Sequence, residues 1–394
     1  MTTVTSQALL AISAILAIPA SVFFAEIVAA IVPGKQDGLP AGARSRAAVI
    51  IPAHNEEKGL LSTITDLQQQ LRPGDRLVVV ADNCDDETAA IAERAGAEVT
   101  IRHDPMNIGK GYALDWGLTY LRSDPPDVVV MVDADCRMAS GAIDRLVAGA
   151  QQHQRPVQAL YLMNAPDKSA INHQIATFAW RVKNWVRPLG LKALGLPCQL
   201  MGTGMAFPWG VLQSVNLSSG AIVEDMKLGL DLASIGYPPL FCPAAIVTSV
   251  FPQTTEGAKA QRQRWEQGHI GLIATRCVPL LVQSLRRRDA SLLALALDLL
   301  VPPLSLLILV LLVMTVVTGT LGCFGGSLVP FAIGSGSLAL VVLGTVMARA
   351  RFARDILPVR TLGLVPLYML AKLRQYVLAL AGRKVSRWVR ADRG

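Results

Sequence analysis

The sequence predicts an α/β fold, a mainly parallel sheet joined to membrane helices, and three observations lead there. From residue 46 onward, short apolar runs alternate with stretches whose apolar residues recur at helical spacing, as in βαβ units. The run Val128-Val129-Val130-Met131-Val132 ends abruptly in Asp133-Ala134-Asp135, the pattern of a strand buried on both faces that stops at a sheet edge. Hydrophobic residues make up 52% of the chain and charged residues only 17%, the bias of a protein with segments in lipid.

The net charge of +8 is concentrated at Arg286-Arg287-Arg288, around Arg349 to Arg354, and in the last dozen residues. Each cluster flanks an apolar segment, which points to anionic lipid headgroups and away from nucleic acid. Six cysteines are scattered without C-x-x-C spacing, arguing against structural zinc and a disulfide framework and for a reducing compartment.

In order, residues 8–32 are of apolar character, broken by Pro19 and Glu26, and long enough to span a bilayer. No Lys or Arg precedes them, so a retained helix is expected over 1–34 rather than a cleaved leader. Positive charge follows at Lys35, Arg44 and Arg46, which places the N-terminus outside and residues 35–290 in the cytoplasm. Strands are expected at 47–51, 76–81, 98–102 and 128–132, then 157–163. Between them come helices carrying Leu60, Ile64 and Leu67, residues 87–95, and Leu114, Leu118 and Leu121. A helix is expected over 171–186, whose Trp180 and Trp185 read as packing or interface anchors. Met201-Gly202-Thr203-Gly204-Met205 reads as a close-approach loop. Glu224-Asp225 opens a helix, where acids suit the N-terminal dipole, and Thr254-Thr255-Glu256 caps another. Two transmembrane helices are expected within 291–348, kinked at Pro302-Pro303 and parted by a Gly-rich turn over 319–327. Residues 349–394 read as an interfacial amphipathic helix and a basic tail, giving about three spans.

Three strands thus end in acid- or amide-rich mouths on one sheet edge, where open α/β folds collect ligands. Asp133 and Asp135 point the same way there. As two hard oxygen donors they suit Mg²⁺ or Mn²⁺; as an alternative they cap a helix near Ser140. Lys110, in Asn107-Ile108-Gly109-Lys110-Gly111, reads as a phosphate-binding charge or equally as a solvated loop lysine. For His54 a packed or backbone-bonded ring is expected.

In this order Pro52-Ala53-His54-Asn55-Glu56, Asp82 with Asp85-Asp86, the Gly109-Lys110-Gly111 loop, Asp133-x-Asp135, Gly202-Thr203-Gly204, Glu224-Asp225 and Gln261-x-x-Arg264-Trp265 resemble a membrane-bound family 2 glycosyltransferase. That group contains cellulose, chitin and hyaluronan synthases, exopolysaccharide transferases and ceramide-glucosyltransferase-like enzymes. The resemblance covers roughly residues 46–269. It implies a GT-A type fold, a Rossmann-like sheet with helices on both faces, and a metal-dependent hexosyltransferase. It also implies a nucleoside-diphosphate sugar donor with uracil as base, and a lipid-linked or saccharide acceptor. Pro52, Glu56 and Asp82 would line the base pocket, and Lys110 and Asp133 would face the donor. Asp133 and Asp135 would hold the metal. Gly202, Thr203, Gln261, Arg264 and Trp265 would form the acceptor and diphosphate end. Asp225, with Glu224 beside it, would act as general base in a single inverting displacement. The location implied is the inner membrane of a bacterium, in surface polysaccharide or glycolipid assembly.

Three alternatives remain open in the sequence. A processive polysaccharide synthase would need more spans to line a channel, or partner proteins for polymer export. A membrane-tethered nucleotidyltransferase would use the same Asp-x-Asp site without needing Glu224-Asp225 or Gln261-x-x-Arg264-Trp265. A nucleotide-sensing component would need no catalysis. No G-x-G-x-x-G follows the first strand, which argues against a dinucleotide-dependent dehydrogenase.

Overall fold

The computed structural model describes residues 3–32, 44–167 and 170–358. Apart from residues 357 and 358, the interfacial helix expected over 357–380 lies outside the described residues. So do the basic tail and Lys35.

Helix α1 (Thr3–Ile31) comes first. Then β1 (Ala47–Ala53), α2 (Leu60–Gln68), β2 (Arg76–Asp82), α3 (Thr88–Arg94), β3 (Glu98–Arg102), α4 (Lys110–Leu121) and β4 (Val128–Met131) follow the expected alternation. Next come β5 (Arg137–Met138), α5 (Ala142–His153), β6 (Val157–Asn164), α6 (Ile171–Arg181), a π-helical turn (Val182–Val186) and α7 (Arg187–Ala193). These are followed by β7 (Met205–Pro208), α8 (Trp209–Leu212), α9 (Glu224–Ser234) and β8 (Leu240–Val250). Helices α10 (Thr255–Arg287), α11 (Ala290–Leu300), α12 (Leu304–Cys323) and α13 (Val329–Phe352) close the described chain.

The sheet runs β3-β2-β1-β4-β7-β6-β8-β5. Strands β1 to β4 are mutually parallel, β7 is antiparallel to β4 and β6, and β6 is parallel to β8. The connection order reverses between β1 and β4, so a crevice opens at the carboxyl ends of those two strands. Along β1 the side chains alternate between two cores. Val49 and Ile51 pack with Leu60 and Ile64 of α2 and Leu146 of α5; Ala48 and Ile50 pack with Leu114 and Leu118 of α4 and Leu228 of α9. Both faces are covered by helices, and every residue of β4 is buried, which is why its sequence carries no polar alternation.

Four departures from the expected elements have physical reasons. Strands β5, β7 and β8 were not expected; β7 is four buried residues hidden behind the glycine loop, and β8 contains Pro243 opposite a register shift between Ala159 and Leu160. The helix over 171–186 does not end there but passes through the π turn into α7. The turn expected over 319–327 is shorter, because α12 continues through Gly319 and Gly322 to Cys323. In an apolar surround the backbone must bond within its own helix, and Gly319 lets α12 approach Phe331 of α13. Fourth, four helices rather than three are long and apolar enough to cross a membrane: Thr5–Ile31, Gly257–Arg287, Leu304–Cys323 and Val329–Phe352.

The second of these differs from the rest. Its mean hydropathy is 1.2, against 2.0 to 2.6 for the others. It is also tied to α9 over its C-terminal half: Arg276 pairs with Asp231, while Gln283 Nε2 and Arg287 Nη1 donate to the Ser234 carbonyl.

Helices α1, α12 and α13 form a third core in which Ala20, Phe23 and Ile27 meet Phe178, Val182 and Val186 of α6 and the π turn, and Leu307, Leu311, Val341 and Ala348. The helices α1 and α7 touch backbone to backbone: a Cβ at Gly190 would collide with the Glu26 carbonyl oxygen. Beside that contact the buried Arg187 guanidinium donates to Glu26 Oε2 at 2.6 Å and to Asp298 Oδ1 at 2.5 Å, binding α1, α7 and α11 together.

Candidate active site

A cavity of about 280 Å³ opens at the carboxyl ends of β1, β2 and β4. Pro52, Glu56, Asp82, Lys110, Asp133, Asp135, Gly202, Glu224, Asp225, Gln261, Arg264 and Trp265 all line it. They come from loops and helix starts separated by as much as two hundred positions in the chain, and β1, β2, β4, α4, α9 and α10 bring them together. Thr203 alone among the expected residues does not line the cavity. It is wholly buried, and its Oγ1 accepts a hydrogen bond from the Asp133 backbone N–H at 3.0 Å, behind the acid rather than beside a ligand.

At the base-pocket end, Asp82 Oδ1 accepts from Arg102 Nη1 at 2.7 Å and from Asn83 Nδ2 at 3.1 Å. Among the described residues its Oδ2 has no bond. The His54 ring is bonded to backbone, Nδ1 to the Asp82 carbonyl at 2.7 Å, as its sequence context suggested. Asn55 and Asn83 take left-handed backbone conformations at the two strand mouths, which asparagine tolerates better than most residues.

At the acidic centre, the Lys110 ammonium forms an ion pair with Asp133, donates to the Gly202 carbonyl at 2.6 Å and lies 3.9 Å from Glu224. Lys110 is therefore no solvated loop lysine. Gly202, at φ +93°, turns its carbonyl to that ammonium, and a Cβ there would stand 3.3 Å from the Asp225 carboxylate. The loop around it is held by buried Gln158, whose Oε1 accepts from the Met201 N–H at 2.7 Å and whose Nε2 donates to the Thr203 carbonyl at 2.9 Å. Burial pushes the Glu224 carboxyl up to about 7 against the pull of Lys110. It raises Asp225 likewise, against the pull of Lys110 and Lys183. Burial works against the Lys110 charge, but Asp133, Glu224 and Asp225 together outweigh it and hold the ammonium protonated.

Asp133, Asp135 and Cys136 each offer a donor atom within 4.8 Å of one another. The carboxylates fit a hard divalent cation. The buried Cys136 thiol, a soft donor, suits such a cation less. Asp135 Oδ2 also accepts from Ser249 Oγ at 3.2 Å, which orients the carboxyl.

At the far end of the cavity Trp265 lies against Trp180, ring centroids 4.9 Å apart, and Trp180 Nε1 donates to the Tyr161 carbonyl. Trp180 is thus a packing residue and also a cavity wall. Lys183 and Asn184 line the cavity as well, and the sequence reading missed both. They sit in the π turn, a local widening that carries no distinct composition and often marks functional sites. Asn184 has 1% of its surface exposed.

Over residues 44–268, more than half of the chain, the sequence matches the family model described as Glycosyltransferase like family 2. It is 28% identical over 237 residues to the probable glycosyltransferase YdaM of Bacillus subtilis (strain 168), covering 57% of this chain and 55% of that protein. A shorter stretch of 95 residues is 38% identical to the 4,4'-diaponeurosporenoate glycosyltransferase of Staphylococcus haemolyticus (strain JCSC1435), covering 23% of this chain and 24% of that one. The chain spans at most about half the length of these curated relatives. Among solved structures, the mannosyltransferase PcManGT from Pyrobaculum calidifontis, in complex with GDP-Man and Mn²⁺, superposes with a TM-score of 0.50 at 17% identity. That match covers 86% of this chain and 98% of the other and is a likeness of fold. The α/β domain is GT-A-like.

Proposed function

Since this chain belongs to the glycosyltransferase like family 2, we propose that it transfers a sugar from a UDP-sugar, with inversion, to a hydroxyl of a lipid-linked acceptor at a bacterial inner membrane. The observation that carries this reading is the meeting of Asp133, Asp135, Lys110 and Asp225 in one cavity, one wall of which is the helix that also packs on α1.

The uracil ring sits between Pro52 and Glu56, with the free oxygen of Asp82 accepting from its imide N–H. Asp133 and Asp135 would hold Mg²⁺ or Mn²⁺, whose chemistry there is neutralisation of charge on the departing diphosphate. Lys110 and Arg264 add positive charge at the same end. Asp225 takes the proton of the acceptor hydroxyl as the new C–O bond forms, because an unassisted hydroxyl is a poor nucleophile. Trp265, braced by Trp180, presents an apolar ring to one face of the sugar and keeps water away. The acceptor enters from the side of α6 and the π turn, whose Phe178, Val182 and Val186 pack with α1, α12 and α13. Helix α10, anchored along α9, belongs in this reading to the cytoplasmic domain, leaving α1, α12 and α13 as spans.

The test uses membranes holding the full chain and a panel of UDP-sugars labelled either in the sugar or in the uridine. One sugar label is expected to enter the lipid-extractable fraction, to depend on Mg²⁺ or Mn²⁺, and to vanish with Asp225→Asn. Uridine label in the product would replace this reading with nucleotidyl transfer. Sugar transfer persisting in Asp225→Asn would remove Asp225 from the role of base.

A further inference from the structure

We propose that Lys183 and Asn184 form a subsite for an oxyanion, carboxylate or phosphate, carried by the lipid-linked acceptor as a handle apart from its reacting hydroxyl. This subsite presumes the glycosyltransferase reading above and names the class of acceptor it would take.

The two residues are neighbours in the π turn and both line the cavity. Among the described residues, neither side chain has a hydrogen-bond or ion-pair partner, although Asn184 is almost wholly buried. A buried carboxamide without a bond is uncommon, and the half-buried Lys183 ammonium has no carboxylate within ion-pair distance among the described residues. Arg187, one turn on, does not relieve Lys183, since it is itself positive and already engaged by Glu26 and Asp298. An oxyanion set between the ammonium and the carboxamide N–H would satisfy both.

The subsite stands apart from the donor. Lys110, on the metal side of Asp225, is taken up by Asp133, Glu224 and Gly202. Asp225 acts on both lysines, but the other charged groups that act on Lys183 are Arg187 and Asp298, and neither Asp133 nor Asp135 is among them. Burial disfavours the charge of Lys183, a cost that an anionic ligand would offset and a neutral one would not. Its position beside the membrane favours a ligand with a tail: Val182 and Val186 of the same turn pack on Phe23 and Ile27 of α1.

The test uses the full chain in dodecyl maltoside, with tryptophan fluorescence as the readout. The probes are decyl phosphate, decanoate, decanol and inorganic phosphate, applied to wild type, Lys183→Met, Lys183→Arg and Asn184→Ala. Binding of UDP with Mn²⁺, measured by calorimetry, reports that each variant is folded. In wild type at least one of the two anionic amphiphiles is expected to bind about tenfold or more tightly than decanol. That preference should vanish in Lys183→Met, weaken in Asn184→Ala and persist in Lys183→Arg. Equal binding of all three amphiphiles to wild type overturns the proposal, as does an undiminished preference in Lys183→Met. Inorganic phosphate binding as tightly as decyl phosphate overturns the lipid-linked acceptor. A wild type that prefers the anions yet ignores UDP with Mn²⁺ keeps the subsite and defeats the UDP-sugar donor instead.

Discussion

Asp225 lies under the influence of two lysines, Lys110 and Lys183, and yet its carboxyl is raised, because burial outweighs their pull. A carboxylate so placed is basic enough to accept a proton from a hydroxyl. Asp225→Asn should therefore lower turnover by about 10²- to 10⁴-fold while leaving UDP affinity within a factor of a few; a steady-state assay beside calorimetry separates the two. Its neighbour Glu224 permits a test of pH and stability. Its carboxyl rises to about 7 in the fold from an ordinary 4.5, so the charged form is the costlier one once folded. Its stabilising contribution is whole below about pH 4.5 and is lost as pH climbs through about 7. Glu224→Gln should consequently melt at a higher temperature than wild type at pH 8 and gain less at pH 5. Equal shifts at both pH values would refute this. At this scale the sequence exposed the acids well, because each closes an apolar strand or opens a helix. It misplaced Thr203, whose hydroxyl serves a backbone N–H, and missed Lys183 and Asn184, because a π turn is a backbone event with no composition of its own.

Between elements, the tightest join is that of α1 and α7. The Gly190 backbone lies against the Glu26 carbonyl, so Gly190→Ala must push two helices apart and should cost about 1–3 kcal/mol, read as a fall in melting temperature in detergent. Arg187→Met strands Glu26 and Asp298 with no cation between them and should cost about 3–5 kcal/mol. Replacing all three residues by neutral ones of similar volume should recover most of that loss, and no recovery would mean that packing, not charge, holds the join. Neither Gly190 nor Arg187 could be singled out in the sequence, because a close approach depends on which helix comes to meet it. The βαβ elements were legible for the opposite reason, since their periodicity and turns are local. Strands β7 and β8 were not, one being too short and glycine-led and the other carrying a proline.

For the molecule as a whole, the arrangement of spans decides where the α12–α13 turn lies. With α1, α12 and α13 crossing and the N-terminus outside, Cys323, exposed at the end of α12, faces outward. With α10 crossing as well, it faces the cytoplasm. In spheroplasts of a strain whose chain keeps Cys323 as its sole cysteine, a membrane-impermeant maleimide should label it without lysis. Labelling only after lysis would count against the three-span arrangement. Composition revealed the apolar helices, but hydropathy alone does not decide whether α10 crosses: Cys277 and Leu280 pack with residues of α9 and α11, while Val278 and Leu285 are exposed.

The clasp at Gly190 bears on how the enzyme can be handled at the bench. Trimming away the first thirty or so residues to obtain a water-soluble catalyst would remove one of the two acids that answer Arg187 and bare Phe178, Val182 and Val186 to solvent. The wall of the reaction chamber would then slacken along with its outer support. Biochemists who want a working specimen should solubilise the intact polypeptide, for its first helix doubles as scaffolding.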